Sequence, residues 1–198
     1  MLACQFSQQM AVQQIEQHGS SAKELPEWFQ DSFPRLLVDG WRRAVDADAR
    51  QQHDEARADP ISYGTTLGLA LLTPHWWLCV GIGDWDLVLI SQDRAALVSQ
   101  EQSDLTPGES TFSLCQSDPL EPMAERFALG QIEAAEVNLA LCTDGIRKSC
   151  RSDADFLTLC KHLIRKSGPT ETLESTLKKI TSLGSGDDVS IAAGALKP

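Results

Sequence analysis

Three short stretches of this sequence set a carboxylate beside a glycine next to an apolar run: GIGDWD (81–86), LALCTDGIRKS (139–149) and GSGDDVSIA (184–192). An unpaired carboxylate in an apolar setting costs several kcal/mol, so each aspartate needs a partner or a place at a strand tip. Taken singly, each stretch is also ordinary turn chemistry, since Asp and Gly are default turn residues. Taken together, Asp84, Asp144, Asp187 and Asp188 flank apolar strands, and strands of one sheet can bring their ends together. Converging carboxylates repel one another unless a cation neutralises them. Hard divalent ions such as Mg²⁺ and Mn²⁺ suit such oxygen donors, with water completing the shell.

Other chemistries find less support. The four histidines, His18, His53, His75 and His162, are scattered, and no serine has a His/Asp arrangement for nucleophilic hydrolysis. The six cysteines, at 4, 79, 115, 142, 150 and 160, show no C-x-x-C spacing, which argues against a zinc site. No glycine-rich loop has a nucleotide-binding spacing. The formal charge of −11, from 28 acidic and 17 basic residues, speaks against DNA or RNA as a partner. No apolar run approaches a membrane span and no charged-then-apolar leader opens the chain, so a reduced, cytoplasmic protein without disulfides is expected.

The elements that must carry these aspartates fall in three zones. A helix over 1–17 is closed by His18-Gly19-Ser20-Ser21. A second runs from Phe33 to Gln52, with Leu36, Leu37, Trp41, Ala44 and Val45 as its buried stripe and Pro34 early, where its missing N–H does no harm. The tract from Asp46 to Pro60 reads as helix end and surface loop. The period then shifts: YGTTLGLALLT (63–73), WWLCVGIG (76–83) and DLVLIS (86–91) predict an antiparallel meander, with further strands near 111–115, 126–132 and 137–142 and loops at Pro107, Pro119 and Pro122. Trp76 and Trp77 are expected to pack one ring inward and expose the other. Helices over 153–166 and 170–183, an acidic loop and the strand VSIAAGAL (189–196) complete one α+β layered domain, 1–198.

The ordered set Gly64-Thr65-Thr66, Gly83-Asp84, Asp144-Gly145 and Asp187-Asp188-Val189-Ser190 resembles the core of the metal-dependent type-2C (PPM) protein serine/threonine phosphatases, over about residues 60–196. The resemblance implies a four-layer sandwich of two antiparallel β-sheets flanked by helices. It also implies hydrolysis of phosphoserine or phosphothreonine in a phosphoprotein substrate, by water activated on two Mn²⁺ or Mg²⁺ ions. Asp144 and Asp187 would be direct ligands, and Asp84 would hold metal-bound water or a third ion. Trp85 and Arg147 become candidates for contact with substrate.

The chain also departs from that pattern. The family's early strand ending in Asp-Gly-x-Gly-Gly, source of the carboxylate that bridges both metals, should precede the first helix, yet the sequence starts with that helix. The domain is therefore expected to be N-terminally incomplete, and the second ion doubtful. No arginine stands where the family grips phosphate. Asp39-Gly40 falls inside the stripe of the second helix, and Arg147 and Lys148 occupy a region where relatives carry a further acidic residue. The alternative is a catalytically impaired pseudophosphatase, a binding or regulatory module. An acidic α+β adaptor unrelated to phosphatases would show no stabilisation by metal.

Overall fold

The computed structural model describes residues 2–21, 23–51, 60–92, 94–100, 111–133, 136–165 and 170–196. Contacts divide the chain into two compact units. One comprises Met1–Leu69, Leu78–Gly83 and Ser103–Leu129, the other Ala70–Trp77, Asp84–Gln102 and Gly130–Pro198.

The first unit is built on α1 (Leu2–His18), α2 (Glu24–Asp31) and α3 (Phe33–Gln51). α1 stops where expected: Gly19 takes a positive φ of 77° and its N–H donates to the Ile15 carbonyl at 2.8 Å. Its buried face is Ala3, Ser7 and Ala11, one helical turn apart, while Phe6, Met10 and Ile15 are half-buried. Phe6 lies on Gly40 of α3, where any Cβ would collide with its ring. Asp39-Gly40 is thus a helix-packing step. In α3 the buried residues are Phe33, Pro34, Leu37, Val38, Trp41 and Val45, while Leu36 is exposed. The short α2 was not foreseen. It seats Phe29 against Phe33, ring centroids 5.5 Å apart, with Trp28 edge-on to Phe29 at 4.9 Å. Such pairs add about 0.5–1.5 kcal/mol beyond area burial. Residues 52–59 of the expected loop lie outside the described residues.

Among the described residues, seven strands form two antiparallel sheets flanked by helices. They are β1 (Leu67–Leu72), β2 (Trp76–Ile82), β3 (Trp85–Ser91), β4 (Arg94–Ser99), β5 (Ala128–Gln131), β6 (Val137–Thr143) and β7 (Ile191–Leu196). One sheet has the order β1-β2-β5 and the other β4-β3-β6-β7. The expected meander is therefore broken: β2 and β3 belong to different sheets, and the chain passes between them at Gly83 (φ 99°) and Asp84. Residues 111–115 form turn and coil rather than a strand, with Leu114 N–H donating to the Thr65 carbonyl at 3.0 Å. Pro119 and Pro122, expected in loops, sit at the start of a short helix, α4 (Leu120–Glu125), where a proline removes no intrahelical bond.

In the second unit β3 and β6 are the inner strands, paired with Trp85 opposite Thr143 and Val88 opposite Ala140. Val88, Ile90, Ala140 and Cys142 line one face, against Ile146 of α5 (Asp144–Lys148) and Phe156 and Cys160 of α6 (Asp153–Arg165). Ser152 caps α6, its hydroxyl accepting the Asp155 N–H at 3.2 Å. α7 (Thr170–Leu183) then leads to the acidic loop and β7, which pairs with β6. Trp76 and Trp77 are both buried, 7% and 8% exposed, against the expectation that one would face solvent. The Trp77 indole covers Gly130, which leaves room for it by lacking a Cβ. All six cysteines are free thiols. Among the described residues no helix is long and apolar enough to cross a membrane.

Candidate metal centre

β6 ends at Thr143, and Asp144 opens α5 directly from the strand tip, so its carboxylate is only partly withdrawn from water, 26% exposed. Its N–H donates to the Asp84 carbonyl at 3.1 Å. The loop 184–190 lies alongside, held by four small polar residues. Thr143 N–H donates to the Ser190 carbonyl at 3.1 Å and Thr143 Oγ1 accepts the Ser190 N–H at 3.0 Å. Ser149 Oγ donates to the Gly145 carbonyl at 2.7 Å and accepts the Ser185 N–H at 3.0 Å. Ser185 Oγ accepts the Asp187 N–H at 3.3 Å. Gly145 is required at this seam. A Cβ there would stand 2.9 Å from the Asp188 carbonyl oxygen and 3.0 Å from Asp187 Cβ.

The result is a pair of carboxylates, 43 residues apart in sequence, that share one cation. Lys148 Nζ lies 2.7 Å from Asp144 Oδ2 and 3.6 Å from Asp187 Oδ2. Its ammonium is held above the ordinary lysine range first by the hydrogen bond to Asp144, and then by the charges of both aspartates against a partial loss of hydration. Among the described residues no group of three His, Cys, Asp or Glu side chains is placed to hold a metal ion. Asp144 and Asp187 are two carboxylates brought to one ammonium.

The remaining candidates are placed differently. Asp84 meets Asp144 through its backbone carbonyl, in the half-buried turn before β3. Trp85 is 5% exposed and takes its place within β3. Arg147 is engaged by two carboxylates. Its Nε and Nη2 fork onto Asp153 at 2.9 and 3.2 Å, and Nη1 is 3.6 Å from Asp86, a buried β3 residue. The fork raises the guanidinium further and pulls the Asp153 carboxyl below its usual range. Thr143, Ser149 and Ser185 are the residues that sequence reasoning did not select, and Ser190 stood in the last motif without a role assigned to it. Their signal was small hydroxyl residues within a few positions of the Asp144 and Asp187 turns, a pattern too common to stand out alone.

A family model described as Protein phosphatase 2C matches residues 1–181. The chain belongs to the protein phosphatase 2C family. Solved structures of similar fold include a serine/threonine phosphatase of S. agalactiae (15% identity, TM-score 0.57, covering 97% of this chain and 81% of that one). The Mycobacterium tuberculosis serine/threonine phosphatase PstP/Ppp is similar too (17% identity, TM-score 0.52, 99% and 83%). So is the catalytic domain of PstP in complex with two manganese ions (16% identity, TM-score 0.54, 98% and 82%). The chain spans 66% of the length of two bacterial serine phosphatase chains that it also matches. No curated protein sequence matches this protein phosphatase 2C-family chain.

Proposed function

We propose that this chain is a phosphoprotein phosphatase that hydrolyses phosphoserine or phosphothreonine esters with the help of a divalent ion, Mn²⁺ or Mg²⁺, held by Asp144 and Asp187. One observation carries the reading: two carboxylates, one at the start of α5 and one in the 184–190 loop, converge on a single cationic group, the Lys148 ammonium, which stands in for a metal ion. Their chemistry fits. A hard divalent ion commonly takes one or two carboxylates, with waters and substrate phosphate oxygens filling the other positions. The donors present suit one ion rather than a pair.

Asp144 and Asp187 would hold the ion, and the loop bonds through Thr143, Ser149 and Ser185 keep the two carboxylates converged at no further ordering cost. The ion, when bound, supplies an acidified water and Lewis acidity toward phosphoryl oxygens. Asp84 supports the start of α5 through its carbonyl. Neutralising the aspartates is the same electrostatic task that an anionic phosphoester requires, so the site is suited to phosphate only when it carries surplus positive charge.

The test is hydrolysis of p-nitrophenyl phosphate and of a phosphothreonine peptide by the purified chain, with and without Mn²⁺, beside Asp144→Asn. Turnover that needs Mn²⁺ and disappears in the variant supports the proposal. A second reading, recognition without turnover, draws on the two-carboxylate donor set. It predicts Mn²⁺ binding and phosphopeptide binding by a folded chain with no release of phosphate.

A further inference from the structure

We propose that Lys148 is a tethered competitor for this cation site: its ammonium and a divalent ion occupy the same two carboxylates in turn. The inference rests on the proposed ion site and goes beyond it, since it assigns to a residue of the chain itself the control of ion affinity.

Three features of the structure support it. First, the contact is positional. Asp144 and Lys148 are the first and last residues of α5, spaced i,i+4, so the helix itself brings the ammonium over the carboxylate. The same ammonium then reaches Asp187 from the other loop. Second, the lysine can leave. Its side chain is 57% exposed, against 26% for Asp144, so its ammonium has a direct path to solvent. Third, the carboxylates stay converged without it. The loop carrying Asp187 is tied to Thr143, Gly145 and Ser149 by hydrogen bonds in which Lys148 takes no part.

The consequence is an ion site that is weak by design of its own charge. Binding a divalent ion requires the ammonium to swing into solvent, and any remaining proximity opposes the ion. A unit charge about 5 Å from a dication in water gives a repulsion that corresponds to roughly tenfold in affinity, less at high salt. The lost ion pairs of an exposed lysine add little. Free of divalent ions the chain carries a half-neutralised pair of carboxylates, and the site fills only when the ion is abundant or when phosphate offers the ammonium another anion.

The experiment is calorimetric titration of the full chain with MnCl₂ at low ionic strength, for the wild type, Lys148→Gln and Lys148→Arg, with Asp187→Asn as the ligand-loss control. Thermal melts of each protein with and without Mn²⁺ check folding and give a second readout. The expected result is about tenfold tighter Mn²⁺ binding and a larger Mn²⁺-induced rise in melting temperature for Lys148→Gln, with Lys148→Arg near wild type. Equal or weaker binding by folded Lys148→Gln overturns the competition and leaves the ion site standing. No Mn²⁺ binding by either wild type or Lys148→Gln overturns both.

Discussion

Gly145→Ala is the most informative single perturbation of the seam between α5 and the acidic loop. Gly145 is helical, so an alanine there gains about 0.8–1.0 kcal/mol of helix propensity. Against this, its Cβ would stand 2.9 Å from the Asp188 carbonyl oxygen, a backbone atom that cannot rotate away, and 3.0 Å from Asp187 Cβ. Overpacking of this kind costs about 1–3 kcal/mol. The steric effect wins, for a net loss of roughly 1 kcal/mol, or a melting temperature lower by about 2–4 °C in a chain of this size. The larger effect falls on the site. The loop must retreat from α5, which separates Asp187 from Asp144 and weakens Mn²⁺ binding more than it lowers stability. The assay pairs a thermal melt with Mn²⁺ titration. A melting temperature that rises, as propensity alone dictates, with Mn²⁺ affinity intact, refutes the account of this seam.

Two further predictions concern Arg147. Arg147→Met removes the fork onto Asp153 and the contact with buried Asp86, and lowers stability by about 1–2 kcal/mol after allowing for the exposure of Asp153. Denaturant melts should show this loss while KM for a phosphopeptide stays the same. A raised KM at unchanged stability would instead make Arg147 a substrate contact. The Asp153 carboxyl is held below its ordinary value of about 3.9 by Arg147. Its contribution to stability is therefore present above that value and is lost as pH falls through the lower folded value. Carboxyl NMR titration should give a depressed midpoint for Asp153 that returns to the ordinary value in Arg147→Met.

Much of this architecture was legible in the residues, and the misses have physical causes. Helices with wide apolar stripes, such as 33–51 and 153–165, declare themselves by period. The break between β2 and β3 did not, because Gly83-Asp84 has the composition of a hairpin turn and composition does not reveal which sheet the next strand joins. β4, RAALVS, is a short edge strand with polar residues only at its ends and two alanines in its middle, so it carries neither the alternation nor the bulky apolar run that marks a strand. α4 hid behind two prolines, and α5 behind an Asp-Gly pair that doubles as a turn signature. At the site, the acidic turns alone left Asp84, Asp144, Asp187 and Asp188 together; it was the family resemblance that singled out Asp144 and Asp187, the two that share the Lys148 ammonium. The i,i+4 spacing of Asp144 and Lys148 was present in the sequence as well, but its reach across to Asp187 depends on the loop bonds of Ser149 and Ser185, which only the fold supplies. Trp85, beside the Gly-Asp turn, reads as a candidate for contact with substrate, and the sheet leaves it 5% exposed.

The central claim is that Asp144 and Asp187 act as one unit on one ion. A double-mutant cycle on Mn²⁺-dependent kcat/KM, using Asp144→Asn, Asp187→Asn and the pair together, tests it most directly. If the two carboxylates hold the same ion, either single change removes nearly all the rate that the double change removes, and the effects are strongly non-additive. Independent, additive losses, or Mn²⁺-dependent turnover that survives the double change, would contradict the account.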